Sequence, residues 1–203
     1  MMGRIADEGS QTMSDFKAAL AITLKNEGGY SNDATDAGGE TYRGISRVYH
    51  PDWSGWAVVD AARGEPGFPD SLDDNHELGE AVAAFYKQQF WNRFMGDAIP
   101  DQALAEELFD TSVNMGVGRA VEFLQEGINL LNRNQQNYAD IVVDGKFGRN
   151  TLGALQACLG QRNGAAYLLK LMNVLQGMHY IEYARRRPSQ EKYMRGWLNR
   201  VTL

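Results

Sequence analysis

The sequence predicts a mainly α-helical protein with short irregular β pieces, on three observations. Apolar residues recur at helical spacing in one stretch after another between residues 16 and 199. One long segment, 30–75, loses that period and is instead rich in Gly, Asp, Pro and Ser. Strand-like sequence is otherwise confined to Val142-Val143, just before Asp144-Gly145.

Ser14 is placed to cap the first helix, with acidic Asp15 in its first turn. Phe16, Ala19, Leu20, Thr23 and Leu24 make one apolar stripe reaching Asn26, and Gly28-Gly29 stops it. The segment 30–75 is expected to be either a functional loop region or a small irregular sheet. From 77 to 94 the helical period returns through Leu78, Val82, Phe85, Tyr86, Phe90 and Trp91, with a break at Pro100. A third helix over 103–114 carries Leu104, Leu108, Phe109 and Ser112, and residues 115–118 end it. Val121, Leu124, Gln125, Ile128 and Leu131 mark a fourth. Val142-Val143 reads as a short strand entering a tight Asp144-Gly145 turn, since Asp-Gly favours positive φ. Asn150 or Thr151 is expected to cap a helix through Leu159. A long helix over 163–185 ends in Arg185-Arg186-Arg187, cations that suit the negative end of a helix dipole, before Pro188. A last short helix spans 190–199.

The 203 residues suffice for one domain or two small ones, with an ordinary 43% apolar and 23% charged composition. A net charge of −6 argues against a nucleic-acid partner. The single Cys158 excludes an intrachain disulfide and, within an apolar helical pattern, reads as a small buried hydrophobe. His50, His76 and His179 lack ligand spacing, so no metal site is expected, and no cofactor. Residues 1–12 lack the apolar core of a signal peptide and are expected to form a disordered tail. No run approaches the ~18 apolar residues of a membrane span, so no membrane insertion is expected.

The chemistry concentrates where the first helix gives way to glycines. Glu27 is followed by Gly28-Gly29-Tyr30, then Asp36, Gly38-Gly39 and Thr41, so two carboxyls and a hydroxyl fall within fifteen positions. Two carboxyls, one kept protonated, are the minimum equipment for cutting a glycosidic bond. Desolvation at a helix end would raise the Glu27 pKa as that role requires. Asp36 would assist water, with Asp33 and Glu40 as competitors, or it is a turn aspartate. Thr41 would hold the water, or is a strand threonine. Tyr30 would line a sugar subsite, or the core. Trp53 and Trp56 offer stacking faces, against the commoner fate of core packing. Asp144, Gly145, Gly148 and Thr151 form a turn and helix start that either binds a ligand or serves the fold alone.

The run Glu27-Gly-Gly-Tyr-Ser-Asn-Asp-Ala-Thr-Asp36-Ala-Gly-Gly-Glu-Thr41-Tyr-Arg-Gly44-Ile45-Ser46 closely resembles glycoside hydrolase family 108, which comprises phage and bacterial N-acetylmuramidases, some described as secretion activators. The resemblance continues through Tyr86, Phe90-Trp91, Leu108-Phe109-Asp110 and Val113-Asn114-Met115-Gly116. From Ala120 to Thr151, and again at Gly196-Trp197, the chain is similar to the peptidoglycan-binding module that accompanies that family. Ala34 and Ala37 stand where proline is common in that family, without removing a chemical group, and Arg43 stands where an aromatic is frequent.

The resemblance implies a lysozyme-like helical fold, with a catalytic region over 13–110 and a peptidoglycan-binding region over 111–203 packed on it. It implies hydrolysis of the β-1,4 bond between N-acetylmuramic acid and N-acetylglucosamine, with Glu27 as general acid and Asn114 among the substrate contacts. Peptidoglycan strands are the expected partner of a monomeric enzyme of phage or prophage type. Synthesised in the cytoplasm without a signal peptide, it would reach the wall through a holin or comparable route. A lytic transglycosylase and a non-catalytic wall-binding or secretion-promoting protein are the alternatives.

Overall fold

The computed structural model describes residues 14–25, 28–32 and 38–202. The tail 1–12, Glu27, Asp33 and Asp36 therefore lie outside the described residues. Within them are eight α-helices and one three-stranded antiparallel sheet, a mainly α, lysozyme-like architecture.

The first helix, α1 (Phe16–Thr23), is capped by Asp15, whose carboxylate accepts from the amides of Lys17 (2.8 Å) and Ala18 (3.4 Å). Ser14 does not cap it: the hydroxyl instead donates to the Gly96 carbonyl at 2.5 Å, tying the chain to a distant turn. The strands β1 (Tyr30–Asn32), β2 (Glu40–Tyr42) and β3 (Ile45–Ser46) follow, paired Tyr30 with Tyr42, Ser31 with Thr41, Thr41 with Ser46 and Tyr42 with Ile45. Arg43 and Gly44 both take positive φ (43° and 78°), as a two-residue hairpin loop between twisted strands demands.

Inside the segment without periodicity lies a helix that the sequence pattern did not show, α2 (Gly55–Ala62). It has no side-chain N-cap and spans only eight residues. Burial of Trp56 and Val59, one turn apart, holds it. Then come α3 (His76–Gln89) and α4 (Gln102–Met115), capped by Asn75 and Asp101. Gly116, at φ 87° and ψ 148°, joins α4 directly to α5 (Val117–Leu131), a conformation that favours glycine. The remaining helices are α6 (Arg149–Leu159), α7 (Gly164–Arg186) and α8 (Met194–Leu198), the last entered through a 3₁₀ turn over Pro188–Tyr193.

Two expectations in the second half need correction. Val142 and Val143 form no strand; they are 76% and 45% exposed. The place of a partner strand is taken by the Asn129 side chain, which accepts from Ile141 N (2.9 Å) and donates to Ile141 O (2.7 Å). Neither Asn150 nor Thr151 caps α6: Gly148 precedes the helix without a side-chain bond, and Thr151 is buried in the first turn.

The core is continuous. Phe109 of α4 sits among Phe16 (5.8 Å), Trp91 (5.7 Å), Tyr86 (6.3 Å) and Phe90 (6.5 Å) in edge-on contacts. The same cluster runs on through Leu124, Ile128, Leu155, Cys158, Leu168 and Met172. Cys158 is buried, and burial raises the pKa of its thiol. No described helix is long and apolar enough to cross a membrane.

Candidate functional site

The described part of the acid-bearing segment is the three-stranded sheet, which follows residue 27 in the chain and whose β1–β2 connection carries residue 36. Its register sorts the side chains. Tyr30, Tyr42 and Ile45 share one face, and Tyr42 and Ile45 are buried there. Ser31, Thr41 and Ser46 form a row of hydroxyls on the other. Thr41 donates to the Gly39 carbonyl at 3.3 Å beside the glycine turn and is partly exposed, leaving its oxygen free to accept. Ser46 is spent on Gly38 O (2.6 Å).

An ion ring anchors this hairpin to α2. Arg47 grips Asp60 through two bonds (2.8 and 2.6 Å) and reaches Glu40 at 3.0 Å. Arg63 closes the ring, bonding Asp60 at 3.1 Å and also Glu40. Hydrogen bonds from Arg47, then Arg63, hold the Asp60 carboxyl far below the ordinary carboxylate range. Glu40, a competitor for the second catalytic carboxylate, is thus committed to two guanidiniums and only 12% exposed along its side chain. Tyr30 belongs to the same assembly: its hydroxyl accepts from Arg63 (3.2 Å) and its ring meets Phe68 edge-on.

The two tryptophans part ways. Trp56 is 3% exposed, with its indole N–H donating to His50 O (2.8 Å) and Arg47 lying over its ring, so no face remains for a saccharide. Trp53 is half-buried against Trp56, its N–H donating to Ala81 O (3.3 Å). One side of Trp53 lines a groove of about 440 Å³ with Tyr49, His50, Asp52 and Phe85. Asn114 stands elsewhere, exposed near the end of α4, its side-chain oxygen accepting from Tyr180 (2.8 Å) beside a groove of about 480 Å³.

A second assembly gathers Asp144, Gly145 and Thr151 around one residue that the sequence pattern gave no reason to single out beyond its helical position, Gln125. The Gln125 amide N–H₂ donates to Asp144 Oδ1 (3.0 Å), Lys146 O (3.1 Å) and Thr151 Oγ1 (3.1 Å). Its oxygen accepts from the amides of Asp144 and Gly145, both at 3.0 Å. Asn129 and Asn132, one and two turns on, hold Ile141 and Asp140 in the same way. Amides at 125, 129 and 132 lie on one helical face, and that spacing was the signal available in the sequence. These bonds lower the Asp144 pKa. Against this loop and the start of α6 lies a cavity of about 930 Å³, which Gly148 and Thr151 also line.

A polar seam joins α4 to α7. Glu107, Thr111 and Asn114 of α4 face Asn173, Gln176 and Tyr180 of α7. Glu107 accepts from Thr111 (3.0 Å) and Asn173 (3.0 Å), yet burial pushes its carboxyl up to about 7. Asp110 and Arg200 pair at 2.9 Å at its edge. No group of three or more described His, Cys, Asp or Glu side chains is gathered to hold a metal.

Comparison with known proteins follows this division of the molecule. Residues 20–116 match the family model described as glycosyl hydrolase 108, and residues 119–202 that described as predicted peptidoglycan domain. The solved structure titled "Structure of Brucella abortus SagA" is 20% identical, covers 92% of this chain and 88% of its own, and superposes with a TM-score of 0.56, which shows a shared fold. None of the curated proteins compared with the chain matches it. The chain thus carries a glycosyl hydrolase 108 module followed by a predicted peptidoglycan module, and has a role directed at peptidoglycan.

Proposed function

We propose that this protein is a lysozyme-like N-acetylmuramidase, hydrolysing the β-1,4 bond between N-acetylmuramic acid and N-acetylglucosamine, and that it serves as a phage or prophage endolysin. The observation that carries the reading is the match of residues 20–116 to the glycosyl hydrolase 108 model, since that span contains Glu27, Asp36 and Thr41. Glu27 protonates the leaving oxygen as the sugar gains oxocarbenium character, and Asp36 assists the attacking water. Thr41, beside the glycine turn, helps hold that water, with Tyr30, Trp53 and Asn114 as candidate sugar contacts. The catalytic region spans 13–110 and the wall-binding region 111–203. A monomer delivered by a holin-type route would meet its substrate in the periplasm or wall.

Purified peptidoglycan digested with the protein tests this directly. Glu27→Gln is expected to lower the clearing rate roughly a hundred- to ten-thousand-fold, the usual worth of a general acid. Reducing muramic ends among the released muropeptides are expected. Anhydro ends would make the enzyme a lytic transglycosylase. Clearing by Glu27→Gln at the original rate removes the assigned acid, and a wild-type chain that binds walls without cutting them is a binding protein.

A further inference from the structure

Resting on this wall-directed reading, we infer that the cavity beside the amide-clamped loop is a receptor for the peptide stem of peptidoglycan, with Lys146 and Arg149 taking its carboxylates. Loop residues 138–148 form one wall and the first turns of α6 the other, enclosing about 930 Å³. That volume suits a short peptide.

Charges of both signs line this cavity, Lys146 and Arg149 with Asp140 and Asp144. Lys146 and Arg149 are exposed and line the same cavity, and the charge of Lys146 also acts on the Asp144 carboxylate. Two exposed cations on one cavity, in a chain of net charge −6, offer charge-assisted bonds to a ligand's carboxylates. Asp140 and Asp144 each engage one carboxylate oxygen with α5, at Asn132 and Gln125. Their other oxygens remain for an ammonium group.

Between the charges lie Ile141, Val142, Ala154 and Ala157, small and branched apolar surfaces that match alanine methyls. A stem peptide presents this combination of carboxylates, an amine from its diamino acid and methyl groups. A neutral glycan does not. Tyr138 and Phe147 line the cavity with rings partly buried against the core, and the Tyr138 hydroxyl donates to Ile128 O (2.9 Å).

Asp144, Gly145 and Thr151 then shape the receptor, and Lys146 and Arg149 read the ligand. The Gln125, Asn129 and Asn132 side chains fix the loop before binding, so little ordering remains to oppose association.

The test titrates the full chain with the soluble tetrapeptide L-alanyl-γ-D-glutamyl-diaminopimelyl-D-alanine, and separately with a chito-oligosaccharide, by calorimetry. Wild-type protein is expected to bind the tetrapeptide, more weakly as salt rises. Lys146→Gln with Arg149→Gln is expected to weaken it roughly tenfold or more, one charge-assisted contact being worth about that factor, without lowering the melting temperature. Lys146→Arg with native Arg149 should retain binding. No binding by wild type, equal binding by the double variant, or displacement of the tetrapeptide by the oligosaccharide overturns the inference. The tetrapeptide has no glycosidic bond, so the Glu27→Gln chain must bind it like wild type. Loss of the muramidase reading and loss of this one are thereby separable.

Discussion

The sheet hairpin and the 138–148 loop meet the same need by opposite means. Each is an irregular segment held against a helix so that exposed side chains keep fixed positions. The hairpin is held by charge: Glu40, Arg47, Asp60 and Arg63 form a ring whose members are 12–44% exposed along their side chains. The loop is held by neutral amides, with Gln125 itself 1% exposed. Exposed ion pairs are screened by salt and are each worth about 0–1 kcal/mol. Neutral bonds to otherwise unpaired backbone groups are insensitive to salt and costly to lose. The first device tolerates damage, and the second does not.

The largest effect is therefore expected at Gln125. Replacing it with Ala leaves the amides of Asp144 and Gly145 without their partner and the Lys146 carbonyl with only a long bond from Thr151 (3.4 Å). A loss of about 4 kcal/mol is expected, from roughly 1–3 kcal/mol for each group with discount for those that reach water. For a chain of this length that lowers the melting temperature by about 8–16 °C. Calorimetric melts at low and molar salt should show the same loss; a difference under 1 kcal/mol would mean that the loop holds itself.

The seam sharpens the contrast by placing a carboxyl inside, with no cation against it among the described residues. Glu107 titrates near 7 in the folded chain, against an ordinary value of 4.5. The folded state thus favours the protonated acid. Its contribution is fully present below about pH 4.5 and is lost as pH rises through 7, up to roughly 3 kcal/mol in all. Glu107→Gln should accordingly stabilise the protein above pH 8 and flatten its stability between pH 5 and 8. Its neighbours Asp110, Thr111, Asn173, Gln176 and Tyr180 remain in place. Urea titrations across that window check it, and a variant equally pH-dependent would remove Glu107 as the source.

What the sequence shows and what it hides follow from the same contrast. The longer helices are legible because their apolar faces repeat over several turns, and α3, α4, α5 and α7 stand where the pattern places them. The helix α2 is not legible, because two residues, Trp56 and Val59, supply its buried face. Val142-Val143 has strand composition but no partner strand, since Asn129 supplies the bonds that a partner would. Gln125 reads as one member of an apolar stripe, and only its five bonds across 19 to 26 residues reveal its work. The acid-bearing motif is legible as residue types in order. Which of its neighbours are already committed is not, and Glu40 is the instance: in sequence a candidate carboxylate, in the fold a brace for the hairpin.

Glu40→Gln tests that brace and gives the smallest change of the three. The substitution keeps the side-chain shape and removes the charge facing Arg47 and Arg63, while Asp60 still engages both guanidiniums. A destabilisation of about 1 kcal/mol is expected at low salt, shrinking toward zero in molar salt as screening replaces the lost pairing. Wall clearing should persist, since a brace acts on the rigidity of the hairpin and not on the bond being cut. A fall in clearing as deep as that of Glu27→Gln, at unchanged stability, would instead return Glu40 to the reacting groups and leave the ring as the means by which two arginines hold its charge.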